Sequence, residues 1–148
     1  MIRLALFEPD IPQNTGTIMR LCACMGVALD IIEPCGFVLS DKNLKRAGMD
    51  YLEHLHMRRH QSWADFQRAY ALRRIVLLTT KTDQRYTDFR FSSDDVLLCG
   101  RESLGVPQDV HAACAARVTI PMAAHTRSLN VAVAAAMVLG EALRQVPT

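Results

Sequence analysis

The segment Ile120-Pro-Met-Ala-Ala-His-Thr-Arg-Ser-Leu-Asn130 separates a short apolar run from the most apolar helix pattern in the chain. The run before it, residues 117–120, predicts a strand, and Pro121 ends that strand because proline has no N–H to give to a sheet. Ser128 and Asn130 precede the next helix, where their side chains can accept hydrogen bonds from its unpaired N–H groups. Because α/β proteins bind ligands at such strand-to-helix junctions, the segment predicts a ligand site.

Strand and helix patterns alternate along the rest of the chain. Predicted strands cover residues 3–7, 28–32, 74–80, 95–99 and 118–120. Predicted helices cover residues 14–25, 41–47, 62–70, 107–116 and 129–144, and a polar loop covers 81–93. The strands are nearly continuous runs of Val, Ile and Leu, which is typical of parallel strands buried on both faces. We therefore expect an α/β fold, with a parallel sheet flanked by helices on both faces, in a single domain spanning residues 1–148.

The composition excludes several classes of protein. Half of the 148 residues are hydrophobic and 22% are charged, which indicates a globular chain rather than a disordered one. A net charge of +2 permits a nucleic-acid partner without requiring one. The longest apolar run, residues 131–139, is far shorter than the roughly 20 residues that span a bilayer, so we expect no membrane partner and no transmembrane segment. The first residues lack the pattern of a signal peptide.

The cysteines and histidines show no metal-ligand spacing, so we expect no metal site. The five cysteines include no C-x-x-C pair, which favours a reducing cytoplasm over a disulfide framework.

The last predicted helix is apolar on nearly every side, as its core residues 131–139 show. A helix of this kind is expected to be buried all round. Two interpretations remain open: a subunit interface, in which small alanines allow close approach of a second helix, or a central core helix of the monomer.

Two further segments carry polar residues at positions where a ligand could bind. They are Glu8-Pro-Asp-Ile-Pro-Gln-Asn-Thr-Gly-Thr-Ile-Met-Arg20 and Gly100-Arg-Glu-Ser-Leu-Gly-Val-Pro107. Taken alone, Asn14 could be a simple helix cap and the two glycines a simple turn. The glycine spacing matches neither a dinucleotide-binding fingerprint nor a P-loop.

Together, the three segments resemble the SPOUT superfamily of knotted RNA methyltransferases, and most closely its small tRNA (cytidine/uridine-2'-O)-methyltransferase group. Two more blocks share the resemblance, Ile31-Ile-Glu-Pro-Cys-Gly-Phe37 and Leu44-Lys-Arg-Ala-Gly-Met-Asp-Tyr51, so it covers essentially the whole chain. It implies a trefoil knot in the C-terminal part, S-adenosylmethionine as methyl donor, and transfer to the ribose 2'-hydroxyl of the tRNA wobble nucleotide, cytidine or modified uridine. It also implies a cytoplasmic homodimer that binds the anticodon stem-loop of tRNA and uses no metal.

The resemblance also implies roles for particular residues. The methyl donor would lie among Leu78, Thr79, Gly100, Glu102, Ile120, Met122, Ser128 and Leu129. The catalytic set would be Asn14, Arg20, Glu102, Ser128 and Asn130. Because a guanidinium stays protonated at any working pH, we interpret Arg20 as holding a phosphate and stabilising the developing alkoxide rather than as a base. Asn14 would orient Arg20 or the substrate, and Ser128 and Asn130 would position the donor and the ribose.

Three other functions remain open. A Rossmann dehydrogenase needs a glycine fingerprint after its first strand, and Glu-Pro-Asp-Ile-Pro at residues 8–12 argues against it. A non-catalytic RNA-binding module could share the fold, but the retained catalytic set argues against that function. A 2'-O-methyltransferase of another tRNA or rRNA site is the third. Gly140, where relatives often carry an aromatic residue, and Arg101 and Leu104 beside Glu102 bear on the choice of nucleotide.

Overall fold

The computed structural model describes residues 1–40, 42 and 52–147, and this part of the chain contains one six-stranded sheet. The strands are β1 (Arg3–Phe7), β2 (Ala28–Ile32), β3 (Met57–His60), β4 (Ile75–Leu78), β5 (Val96–Cys99) and β6 (Ala116–Val118). Their order is β3-β2-β1-β5-β4-β6, and every neighbouring pair is parallel. The predicted parallel α/β fold is therefore confirmed.

Helices cover both faces of this sheet. They are α1 (Pro12–Met25), α2 (Trp63–Ala69), α3 (Gln108–Ala113) and α4 (Val131–Gln145), with short 3-10 helices at Leu52–His54 and Tyr86–Asp88. Alternate residues of a strand point to opposite faces. In β1, Leu4 and Leu6 therefore belong to the apolar cluster that includes α1 and α4, whereas Ala5 and Phe7 belong to the cluster that includes α2 and α3. The prediction of helices on both faces is confirmed.

The strands β4 and β5, predicted over 74–80 and 95–99, are shorter than predicted, and two other strands differ more. The edge strand β3 was missed because Arg58 and Arg59 interrupt its apolar pattern, as charged residues commonly do on a sheet edge. The last strand is Ala116–Val118 rather than 118–120. After Val118 the chain leaves β4, because Thr119 donates its N–H to the carbonyl of Gln84 at 2.8 Å and accepts from the N–H of Tyr86 at 2.9 Å.

The helix ends follow from local chemistry. The first helix begins two residues before the predicted Asn14, because Pro12 occupies its first position, where a missing N–H costs nothing. It ends at Gly26, as predicted, with φ 66° in the left-handed region that favours glycine. The Ser62 hydroxyl caps α2 by accepting from the N–H of Asp65. The last helix begins after Asn130, which is its cap, and not at Leu129.

The prediction that α4 is buried on every side is wrong for the single chain. Five of its residues are buried against the sheet and α1: Ala132, Ala135, Val138, Leu139 and Ala142. The opposite side exposes Val133, Ala136, Met137 and Gly140 to solvent. The helix is thus half core and half apolar surface.

A polar cluster is buried under α2. The Asp30 carboxylate is fully buried and accepts hydrogen bonds from Arg3 Nε at 2.7 Å and from the Tyr70 hydroxyl at 2.6 Å. His60 Nε2 lies 2.8 Å from Asp30 Oδ1. Burial and the hydrogen bond to Asp30 raise the pKa of Tyr70. This cluster satisfies a carboxylate that would otherwise be very costly to bury.

Three predictions about the fold stay untested. The predicted helix 41–47 and the block 44–51 lie outside the described residues, apart from Lys42. The trefoil knot and the assignment of residues 1–148 to a single domain also stay predictions. No helix of the described residues is long and apolar enough to cross a membrane.

Candidate functional site

A cavity of about 510 Å³ lies at the carboxyl ends of β4, β5 and β6. All eight residues predicted to hold the methyl donor line it: Leu78, Thr79, Gly100, Glu102, Ile120, Met122, Ser128 and Leu129. Asn14 and Asn130 of the predicted catalytic set also line it. The fold thus gathers residues from three distant segments around one volume, although their individual roles stay predictions.

The loop after β5 forms one wall of the cavity and is closed on itself. Arg101 and Gly105 exchange two main-chain hydrogen bonds, at 3.0 and 2.9 Å, and Arg101 Nε donates to the same Gly105 carbonyl at 3.0 Å. A Cβ on Gly100 would lie 3.0 Å from the Gly105 backbone, so the turn would have to shift slightly to admit a side chain there. The closed turn places Glu102 beside the first segment.

Asp10, which the sequence analysis did not single out, holds Glu102 in place. Its main-chain N–H donates to Glu102 Oε2 at 3.0 Å, and the Ser103 hydroxyl donates to Asp10 Oδ2. Burial and a side-chain hydrogen bond with the Asp10 carboxylate raise the pKa of Glu102, although the bond from the Asp10 N–H opposes them, and side-chain hydrogen bonds from Glu102 and Ser103 lower the pKa of Asp10. Glu102 therefore keeps its proton to a higher pH than an isolated glutamate does.

The backbone before Asp10 is constrained as well. Glu8, at the end of β1, has φ 42°, a conformation that non-glycine residues seldom adopt and that is concentrated at functional sites. An acidic residue in the first segment was the available signal for Asp10, but its partner lies 92 residues away and spacing alone could not identify it.

Asn130 joins the third segment to the first. Its Oδ1 accepts from the N–H groups of Ala132 at 2.9 Å and Val133 at 3.3 Å, which caps α4. Its Nδ2 donates to Asn14 Oδ1 at 2.9 Å. One amide therefore fixes the start of α4 against α1 at the edge of the cavity.

Arg20 is not among the residues that line the cavity. It is exposed on α1, six residues after Asn14, which corresponds to a rotation of roughly 240° about the helix axis. The structure therefore brings Asn14, Glu102, Ser128 and Asn130 together within one chain and leaves Arg20 on another side of α1.

Within the third segment, residues 123–126 form a turn beside the cavity, closed by the Thr126 N–H, which donates to the Ala123 carbonyl at 3.3 Å. The Thr126 hydroxyl donates to the Ala123 carbonyl at 2.6 Å, and His125 adopts φ 70°. His125 and Arg127 are exposed there. No three His, Cys, Asp or Glu residues within 1–40, 42 and 52–147 are grouped as ligands of one metal ion would be.

Comparisons with known proteins agree on one group. A model of the SpoU rRNA Methylase family matches residues 1–140. The tRNA (cytidine(34)-2'-O)-methyltransferase of Beijerinckia indica subsp. indica is 62% identical over 146 residues, which cover 97% of this chain and 91% of that protein.

Two solved structures have similar folds. One, described as giving structural insights into the 2-OH methylation of C/U34 on tRNA, has a TM-score of 0.92 and 41% identity, and covers 99% of this chain and 96% of that one. An AdoMet-bound rRNA methyltransferase from Sinorhizobium meliloti has a TM-score of 0.87 and 26% identity, and covers 99% of this chain and 57% of that one.

Proposed function

The chain belongs to the SpoU rRNA methylase family, and on that premise we propose that it methylates the ribose 2'-hydroxyl of the tRNA wobble nucleotide, with S-adenosylmethionine as the donor. The observation that carries the proposal is the single cavity shared by the three segments, in a chain 62% identical to a relative named for this reaction. The predicted family is confirmed by the family match. We also propose that the reaction takes place in the cytoplasm, where free thiols such as those of the five cysteines stay reduced.

The cavity fits the proposed methyl donor in size and chemistry. Its volume of about 510 Å³ lies within the range of roughly 300–1,000 Å³ that is usual for cofactor sites. Strand-end residues such as Leu78 and Thr79 would offer main-chain groups to the adenine, and Glu102, which lines the same cavity, would lie near the cationic sulfonium. When bound, S-adenosylmethionine supplies a methyl group to an oxygen nucleophile.

Asn14 is placed to bind the ribose. Its Oδ1 accepts from Asn130, whereas its own NH2 group makes no hydrogen bond to the described residues. That NH2 can donate to the ribose oxygen and stabilise negative charge that develops as the hydroxyl proton leaves. The cap at Asn130 prevents the Asn14 amide from turning away, because the Asn130 amide is itself held by two helix N–H groups.

A second copy of the chain would cover the exposed side of α4. Val133 is 49% exposed and Met137 39% exposed. The small residues Ala136 and Gly140 on the same side permit a close approach of another helix. The helices α1 and α4 pack against each other, and Arg20 is exposed on α1. A partner bound to the exposed side of α4 would therefore lie beside Arg20. We propose a homodimer in which Arg20 acts at the partner's cavity.

Sedimentation velocity tests the dimer. Met137→Glu places a charge in the proposed interface and should give a monomer, while Leu72→Glu replaces a fully exposed leucine elsewhere and should leave the dimer intact. A monomeric parent protein, or a dimer that survives Met137→Glu, would contradict the interface.

Mass spectrometry tests the function. Purified protein is incubated with S-adenosylmethionine and either unmodified tRNA or unmodified rRNA, and each digested RNA is searched for 2'-O-methyl groups, which are assigned to nucleotide 34 or to another position. The parent protein should methylate nucleotide 34, and Asn14→Ala should lower turnover with little change in donor affinity measured by calorimetry. Methylation confined to rRNA or to another tRNA position would establish the alternative substrate and refute the wobble assignment.

A further inference from the structure

The cationic side chains of the described residues include two groups that differ in their partners. Five arginines away from the cavity form ion pairs with Asp or Glu: Arg3, Arg59, Arg68, Arg74 and Arg144. Arg117 instead donates to three main-chain carbonyls at the end of α3. Each of these charges already has a partner within the protein, with which an external anion would compete.

The second group lies on the loops that form the cavity. Lys81 follows β4 and lines the cavity, Arg85 lies four residues further along that loop, and Arg127 directly precedes Ser128. All three are exposed, and none forms an ion pair with a carboxylate of residues 1–40, 42 and 52–147. Arg101 is different, because its guanidinium bonds to Gly105 and lies 5.5 Å from the centre of the Phe7 ring.

The loop that carries Lys81 and Arg85 is attached firmly to the cavity wall. The N–H of Lys81 donates to the Thr79 hydroxyl at 3.1 Å. Further along, the N–H of Thr119 donates to the Gln84 carbonyl at 2.8 Å, and Arg85 forms a parallel bridge with Thr119. Because Thr119 itself lines the cavity, both cations are held beside the same opening as Ile120 and Arg127.

We infer that Lys81, Arg85 and Arg127 form a phosphate-binding rim, which contacts the RNA backbone on either side of the nucleotide whose ribose enters the cavity. This inference rests on the proposed function. A ribose whose 2'-hydroxyl reaches the cavity carries phosphates on both sides, at the level of the rim. Phosphate contacts fix the register of a nucleic acid without reading its sequence, so the rim positions the target while other groups select it.

The rim concentrates charge that the whole chain lacks. A net charge of +2 predicts weak attraction of RNA to an average surface. Lys81, Arg85 and Arg127 at one opening, with Asp83 between the first two and Glu102 in the neighbouring loop, give a local excess of positive charge. Each phosphate neutralised there releases bound counterions, so binding must weaken with salt.

The test measures binding of a fluorescent anticodon stem-loop RNA to the full-length protein at several salt concentrations. Arg85→Ala and Arg127→Ala should each raise Kd several-fold and reduce the slope of log K against log salt by about 0.7–0.9, the value for one phosphate contact. Affinity for S-adenosylmethionine, measured by calorimetry, should not change in either variant. Lys81→Ala should give the same loss of slope.

Arg90→Ala is the matched control. Arg90 is exposed and lies at the opposite, amino-terminal edge of the sheet, where its carbonyl accepts from Arg74 just before β4. This variant removes the same charge and should keep the parent Kd and slope. Parent slopes in all three rim variants, or an equal loss in Arg90→Ala, would overturn the rim while the proposed function stands. If the parent protein neither binds nor methylates tRNA, both proposals fail.

Discussion

Replacing Asn130 with alanine removes three hydrogen bonds: two cap the helix α4 and one joins Asn130 to Asn14. Loss of the helix cap costs about 1 kcal/mol, within a range of about 0.5–2 kcal/mol. Loss of the bond to Asn14 Oδ1 costs about 0.5–1 kcal/mol, the lower half of the usual range, because the pair is exposed. We therefore expect Asn130→Ala to lower the free energy of unfolding by about 1.5–2 kcal/mol and Tm by about 3–8 °C.

Asn130→Ser separates the two roles. A serine keeps a cap for α4 but is too short to reach Asn14, so this variant should lose only about 0.5–1 kcal/mol. Asn14→Ala should lose a similar amount, and the pair Asn14→Ala/Asn130→Ala should show a coupling energy of about 0.5–1 kcal/mol. Guanidinium unfolding of the parent and the four variants measures these values, and turnover with saturating S-adenosylmethionine should fall in every one of them.

Two results would refute this reasoning. Strict additivity of the Asn14 and Asn130 substitutions would show that the 2.9 Å bond between them contributes nothing. An Asn130→Ser variant as unstable as Asn130→Ala would show that capping of α4 stabilises the protein less than the bond to Asn14 does.

Three other predictions concern charge and backbone. Because burial raises the pKa of Glu102, its charged form is disfavoured in the folded chain. Glu102→Gln should therefore be more stable than the parent at pH 8. It should lose that advantage below about pH 4, where the parent glutamate is protonated in both the folded and the unfolded state. Denaturation at several pH values measures this, and the variant should also lose methylation. Asp30→Asn leaves a buried arginine–histidine–tyrosine group without its carboxylate and should cost about 3–5 kcal/mol in urea unfolding, whereas Asp94→Asn, at a 70% exposed side chain, should change stability by less than about 0.5 kcal/mol. Gly26→Ala adds a methyl group in open space, yet it should lower Tm, because it forces alanine to φ 66° at a cost of about 1 kcal/mol; thermal unfolding measures this.

The sequence predicted those elements whose local chemistry decides their structure. The strands β1 and β2 are apolar runs, and Gly26 and Ser62 are strong end signals, so these elements were found where the structure has them. By contrast, β3 depends on pairing with β2, and its arginines carry no local strand signal. The end of β6 depends on Thr119 pairing with a loop more than 30 residues earlier. Non-local pairing of this kind cannot be derived from periodicity.

The same distinction holds for the cavity. Its lining residues were named because the resemblance supplied three segments whose spatial meeting is a property of the family. The support of Glu102 by Asp10 and the buried cluster around Asp30 depend on side chains 92 and 27 to 40 residues apart, and no motif marks them. The sequence therefore identified the residues that line the cavity more completely than the side-chain contacts that hold those residues in place.

Arg20 shows how the fold limits what one chain can do. The resemblance assigns Asn14 and Arg20 to one reaction, yet both lie on the regular helix α1, where six residues correspond to a rotation of roughly 240°. The residues between them keep helical geometry, so the two side chains leave the helix on different sides, and only Asn14 reaches the cavity of its own chain. The homodimer proposed above would bring Arg20 to the partner's cavity, and the exposed apolar side of α4 is where the two chains would meet.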